Sequence, residues 1–109
     1  NIAAGVKLLQ LLDKQLRNRV LDDIERVKFV LAAYNVGIAH IFDAMRLAEK
    51  YGRNPAVWTD NVDYFILNKS DPFFYTDSVV YYGYARGEEP FQFVGDVFAR
   101  YDYYRGIGN

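Results

Sequence analysis

Cysteine is absent from the 109 residues. Disulfide frameworks, thiolate metal sites and cysteine nucleophiles are therefore excluded, while the redox compartment stays open. Histidine is nearly absent too, His40 being the only one. Helical spacing sets Asp43 beside it, three residues on. One imidazole and one carboxylate do not make a metal site, and a hydrogen-bonded structural histidine is the better reading. Neither a metal nor any other cofactor is expected. No apolar run approaches the roughly 20 residues that cross a bilayer, and no signal-peptide pattern is visible. Charge of one sign is lacking as well, with 13 basic side chains against 14 acidic ones, interspersed, for a net −1. Such a surface gives no electrostatic reason to bind nucleic acid or an anionic membrane. The acids adjacent in sequence, Asp22 with Asp23 and Glu88 with Glu89, sit where helix starts explain them, and neither pair makes a convincing acid/base dyad.

What the chain has in quantity is apolar side chains, 51% of the total, enough for one small domain over residues 1–109 with a modest core. Their spacing predicts an all-α fold. Ile2, Val6, Leu9, Leu12 and Leu16 recur every three or four residues and predict a first helix running to about Asn18, with Leu8 and Leu11 widening its apolar face. Asp22 is predicted to cap a second helix, with Glu25 in capping-box spacing and Ile24, Val27, Leu31 and Tyr34 forming its apolar seam. A third runs from Ile38 through Ile41, Met45 and Ala48 to a stop at Gly52, and Arg53-Asn54-Pro55 breaks the pattern. A shorter helix is predicted from Asp60 or Asn61 to Lys69, with Val62, Phe65 and Ile66 inside. Val79-Val80-Tyr81-Tyr82 is β-prone, yet no partner strand exists elsewhere, so it is read as helical or irregular. Glu89-Pro90 opens a last helix carrying Phe91, Val94, Phe98 and Tyr101 on one face, and the tail 106–109 is expected to fray. Ten Tyr, eight Phe and one Trp are read mostly as core, although aromatic faces also line sugar-binding clefts.

One junction stands out. Ala32-Ala33-Tyr34-Asn35-Val36-Gly37 brings small residues, a phenol, an amide and a glycine together where the second helix ends. Gly37 permits a sharp turn there, and Asn35 offers both a donor and an acceptor. At these residues the chain resembles the soluble-type lytic murein transglycosylases, whose signature block reads Ala-Tyr-Asn-Ala-Gly; here it is Ala33-Tyr34-Asn35-Val36-Gly37. A second family block, an Asn followed at helical spacing by Gly and then large apolar residues, is similar to Asn1-Ile2-Ala3-Ala4-Gly5-Val6 with Leu8 and Leu9. Gly37-Ile38-Ala39-His40-Ile41, Arg46 to Gly52, Tyr75-Thr76-Asp77 and Gly83-Tyr84-Ala85-Arg86-Gly87 look like the F-type, membrane-bound branch. The resemblance covers nearly the whole chain, and the joint order of the blocks carries it.

The resemblance implies a lysozyme-like helical domain, here truncated at its N-terminal side. The family places its catalytic glutamate in a Glu-Ser pair, with a Gly-Leu-Met-Gln block, upstream of the Asn-Ile segment, and neither occurs in this chain. The parent is thereby expected to cleave the β-1,4 bond between N-acetylmuramic acid and N-acetylglucosamine in peptidoglycan, forming a 1,6-anhydro sugar. This chain alone is expected to be inactive. One glutamate performs both proton transfers, and the signature tyrosine, Tyr34, is expected to orient it; Ala33, Tyr34, Asn35, Gly37 and Glu89 are expected to face the glycan. Asn35 also suits a helix C-terminus. A late Glu-Thr-x-x-Tyr-Val block reads Glu89-Pro90-Phe91-Gln92-Phe93-Val94 here. Phe93 lacks the hydroxyl, and Glu89 serves equally as a sugar contact or as an acid at a helix N-terminus. The expected partners are glycan strands and the absent part of the same domain, and the implied location is periplasmic, associated with the outer membrane, with an upstream solute-binding-like module. The competing readings are a non-catalytic glycan-binding module and a helical protein-interaction domain.

Overall fold

The computed structural model describes residues 1–108, and for residues 103, 104, 107 and 108 it describes the backbone alone. Among the described residues six α-helices follow one another: α1 (Ile2–Leu16), α2 (Asp23–Val36), α3 (Ile38–Lys50), α4 (Asp63–Leu67), α5 (Pro72–Tyr75) and α6 (Glu88–Gly108). No strand occurs among the described residues. Residues 58–62 form an irregular turn before α4, with Thr59 extended and Asp60 left-handed, and Asn68–Ser70 close a 3-10 turn after it. The helix predicted from Asp60 to Lys69 is thus confined to its middle. Residues 76–87 make an irregular strap, as expected for the Val79 to Tyr82 run. At the other end α6 stays helical to Gly108, where fraying from Gly106 was expected; Asn109 lies outside the described residues.

The starts are chemically specified. The side chain of Asn1 accepts from the Ala4 N–H at 2.8 Å, and that of Asp22 accepts from the Glu25 N–H at 2.9 Å; each satisfies one of the donors a helix start leaves free. The reciprocal half of the capping box is not formed. Glu25 instead accepts from the Trp58 backbone N–H at 2.8 Å and from Lys28 at 2.9 Å. A capping residue has been redirected to tie the turn at Trp58 onto α2.

α2 is the central helix, packed against α1, α3 and α6. Its buried face is the one the periodicity did not select. Phe29, Val30, Ala32 and Ala33 lie inside, Phe29 meeting Trp58 edge to face at 5.4 Å, whereas Ile24 is 60% exposed and Val27 and Tyr34 are each 47% exposed. The reason is that α2 has no single apolar side, Asp23, Glu25, Arg26 and Lys28 being interspersed among its apolar residues, so spacing alone cannot choose a face, and the small side chains of Ala32 and Ala33 suit close packing.

The aromatic residues also divide differently from the core reading. Phe29, Trp58 and Phe65 are buried, but Tyr51, Tyr64, Tyr81, Tyr82, Tyr84 and Tyr101 are exposed. The phenol hydroxyl accounts for the direction, since it needs water or a partner where a phenylalanine needs neither.

Candidate functional site

Gly37 is the whole connection between α2 and α3. Its φ of 100° and ψ of 137° lie outside the range of other residues, and its N–H closes α2 on the Ala33 carbonyl at 2.8 Å. This corner buries the Ala33 methyl and leaves Tyr34 and Asn35 outside. The Tyr34 phenol reaches α1, where a methyl group placed on Gly5 would stand 3.6 Å from its oxygen. The two sequence blocks, Asn1 to Val6 and Ala33 to Gly37, therefore converge. Asn1 itself is occupied as the cap of α1. Ala33, Tyr34, Asn35 and Gly37 are gathered at one corner; Glu89, exposed in the first turn of α6, belongs to a different element and is joined to the corner through the strap 76–87.

Beneath that corner lies a charged cluster that sequence reasoning saw only in part, as a histidine with a hydrogen-bonding neighbour. Asp43 and Lys69 are both fully buried and 2.8 Å apart. An ammonium has three N–H donors and a carboxylate about four acceptor sites. Lys69 uses all three donors, on Asp43, on the Gly83 carbonyl at 2.6 Å and on His40 Nδ1 at 2.9 Å. Asp43 accepts from Lys69, from Arg46 at 2.5 Å and from the backbone N–H groups of Tyr81 at 2.7 Å and Tyr82 at 3.0 Å. Arg46 also donates to the Val79 carbonyl at 2.8 Å and lies over the Tyr81 ring at 4.0 Å. Two buried charges are thus saturated, largely by the backbone of the strap. Lys69 carries no signal in the sequence, because a lysine at the end of an apolar run reads as solvated.

The titration directions follow from these contacts. Burial works to raise the Asp43 carboxyl, but hydrogen bonds from Lys69, Tyr81 and Tyr82 outweigh it and hold it below the usual carboxylate range. Burial pulls the Lys69 ammonium down from its ordinary value, opposed by Asp43. His40 is held below 6.5, first by burial and then by the positive charge of Lys69. With Lys69 donating to Nδ1, the neutral ring carries its proton on Nε2. Between 6.5 and its lower folded value the unfolded chain binds more protons at His40 than the folded chain, so stability rises with pH through that window and falls as pH is lowered from 6.5. Urea midpoints taken from pH 7.5 to 4.5 are expected to show this loss, and His40→Gln, whose amide oxygen still accepts from Lys69, is expected to flatten the part below 6.5. An unchanged slope in the variant would assign the acid loss to other groups.

Three concavities flank the exposed stripe of α2. One of about 380 Å³ is lined by Ile24, Lys28, Trp58, Asp63, Phe91 and Phe98 among others. Another of about 370 Å³ lies between α1 and α2 at Leu9, Asp13, Val27 and Leu31, and one of about 330 Å³ lies between α2 and α6 at Ile24, Val27, Val97 and Tyr101. Burial pushes the Asp63 carboxyl above its ordinary value, against backbone N–H groups that pull it down; its position at the start of α4 was not marked by any motif. No cluster of three or more metal-binding side chains occurs among the described residues, and no described helix is long and apolar enough to cross a membrane.

No protein-family model matches the chain. Among curated proteins it is 42% identical over 102 residues, 94% of its length, to the membrane-bound lytic murein transglycosylase F of Pseudomonas fluorescens strain Pf-5. It is 46% identical over 85 residues, 75% of its length, to the protein of the same name from Maricaulis maris, and 37% identical over 97 residues, 89% of its length, to that from Salmonella typhi. The matches cover 20%, 18% and 20% of those relatives, so the chain spans about a fifth of the length of the curated relatives it matches.

Proposed function

Because the chain belongs to the lytic murein transglycosylase family, its F type included, we propose that it forms one wall of the glycan groove of a peptidoglycan-cleaving enzyme whose proton donor lies in polypeptide beyond these residues. The observation that supports this most is the outward stripe of α2. Ile24, Val27 and Leu31 lead along one helix face to Tyr34, concavities lie on both sides, and large apolar side chains exposed in a row mark a surface that binds something. An element carrying a carboxylic acid and seated on that stripe would meet the Tyr34 phenol at its end. Asn35 and Gly37 then offer the glycan an amide and open backbone, Ala33, whose methyl is buried, its backbone, and Glu89 a carboxylate from the start of α6.

In the proposed reaction the carboxylic acid protonates the departing glycosidic oxygen as the bond from C1 breaks. The resulting carboxylate takes the proton of the C6 hydroxyl as that oxygen bonds C1, which returns the acid and gives the 1,6-anhydro product. One carboxyl serves both steps, unlike the two-carboxylate pattern of most glycosidases. Tyr34 contributes a hydrogen bond that fixes the acid in position. The family supports a periplasmic parent, associated with the outer membrane, as part of this reading, and the lack of a Glu-Ser pair among these residues supports their being inactive alone.

The test is release of anhydro-muropeptides from purified peptidoglycan, followed by mass spectrometry. The full-length protein carrying this segment is expected to release them, and Tyr34→Phe to lower the rate by about 10- to 100-fold, the worth of one hydrogen bond to an ionisable partner. Release by the 109 residues alone would overturn the assignment of the proton donor to other polypeptide. A full-rate Tyr34→Phe enzyme would remove Tyr34 from the site.

A further inference from the structure

The strap 76–87 has no regular secondary structure, yet its backbone is fixed at five points: Tyr81 and Tyr82 N–H on Asp43, the Gly83 carbonyl on Lys69 Nζ, the Val79 carbonyl on Arg46, and the Ala85 N–H on the Lys69 carbonyl at 3.3 Å. Burying two charges is costly, and here the hydrogen bonds that offset the cost come largely from the loop. What the loop presents is three tyrosines in four residues, Tyr81, Tyr82 and Tyr84, each more than half exposed. Core packing explains none of them. Tyr81 is backed by the Arg46 guanidinium, and Tyr84 is braced edge to face by Tyr75 at 5.9 Å.

The strap is also continuous with the corner. A methyl on Gly37 would lie 4.0 Å from the His40 ring, His40 Nδ1 is 2.9 Å from Lys69 Nζ, and Lys69 Nζ is 2.6 Å from the Gly83 carbonyl, the residue between Tyr82 and Tyr84. Exposed rings with an apolar face and a hydroxyl edge, carried on a fixed backbone, match a pyranose, which has an apolar face of C–H groups and hydroxyls around its rim; a fixed backbone lowers the entropy lost on binding. We propose that Tyr82 and Tyr84 form a sugar-stacking subsite that extends the glycan site beyond the Gly37 corner, and that Asp43, through its hold on the strap, is its positioning residue. The subsite takes an N-acetylated pyranose of the glycan, and it rests on the reading of the corner as a glycan site.

The experiment is calorimetric titration of the full-length protein with the N-acetylglucosamine tetramer, alongside turnover of peptidoglycan. Tyr82→Ala with Tyr84→Ala is expected to raise Kd about tenfold, and the paired Phe variants, which keep the rings, to bind within about twofold of the parent. Both tyrosines are exposed, so folding is not at stake. Asp43→Asn is expected to raise Kd by itself and to add nothing when combined with the two alanines; a purely structural role would add its loss to theirs. Undiminished binding by the alanine pair overturns the subsite while leaving the corner reading intact, as does loss in the Phe pair. Absence of binding and turnover in the unaltered protein overturns both.

Discussion

Asp43→Ala is expected to destabilise the folded chain by about 3–5 kcal/mol, the usual consequence of removing one partner from a buried ion pair. The loss has three sources. Lys69 is fully buried and would keep its charge beside only two neutral acceptors, His40 and Gly83. The N–H groups of Tyr81 and Tyr82 would lose their acceptor, each an unsatisfied donor where water must enter or the strap must lift. Arg46, partly exposed, can rehydrate and adds least. Against a total stability of about 5–15 kcal/mol for a domain of this size, the change is large enough to show as a collapse of the urea midpoint. Asp43→Ala combined with Lys69→Met is expected to recover part of the loss, because the orphaned charge goes with its partner. A useful contrast is Asp13, which accepts from Arg17 and Arg26 at 2.7 Å each but stands partly in solvent; its removal is expected to cost about 1 kcal/mol or less. An Asp43→Ala midpoint close to that of Asp13→Ala would mean that water reaches the cluster.

The contrast between these two acids also shows what a sequence can carry. Local rules acted locally and are readable. Asp22 caps because its carboxylate reaches the Glu25 N–H three residues on, and Gly37 turns the chain because no other residue accepts its φ. The corner of Ala33, Tyr34, Asn35 and Gly37 was legible for that reason. The face of α2 was not. Phe29 and Val30 compete with Ile24 and Val27 for the inside, and the choice falls to neighbours 28 to 65 residues away, above all Trp58 and Val94. Glu25 illustrates the same limit, since its spacing marks a capping box while its carboxylate serves Trp58. Lys69 is the extreme case. Nothing near it in sequence distinguishes it from a surface lysine, and all three of its acceptors come from other segments. A buried charge is defined by what surrounds it, and that information is non-local.

Gly87→Ala is expected to cost about 3 kcal/mol or more, although the residue has no unusual backbone angle to advertise it. A Cβ there would stand 1.6 Å from the Ile66 carbonyl oxygen, 2.4 Å from its carbon and 3.0 Å from the Leu67 nitrogen. These are backbone atoms of α4, whose Phe65 and Ile66 side chains are locked in the core, so no side chain can swing aside. Relief requires the end of the strap, or the start of α6, to move away from α4 by more than an atom's radius. The Gly87 carbonyl accepts the Phe91 N–H at 3.1 Å at the start of α6, and Ala85 is tied to the Lys69 carbonyl, so a displacement strains both connections. Gly95, about two helix turns along α6, supplies the internal control. Nothing lies within 4 Å of its missing Cβ, and Gly95→Ala is expected to be neutral or stabilising by up to about 1 kcal/mol through helix propensity. Urea midpoints of the two variants are therefore expected to move in opposite directions, or at least to differ by more than propensity allows. Equal midpoints would mean that the strap does not approach α4 as closely as this, and the placement of Glu89, two residues further on, would lose its support.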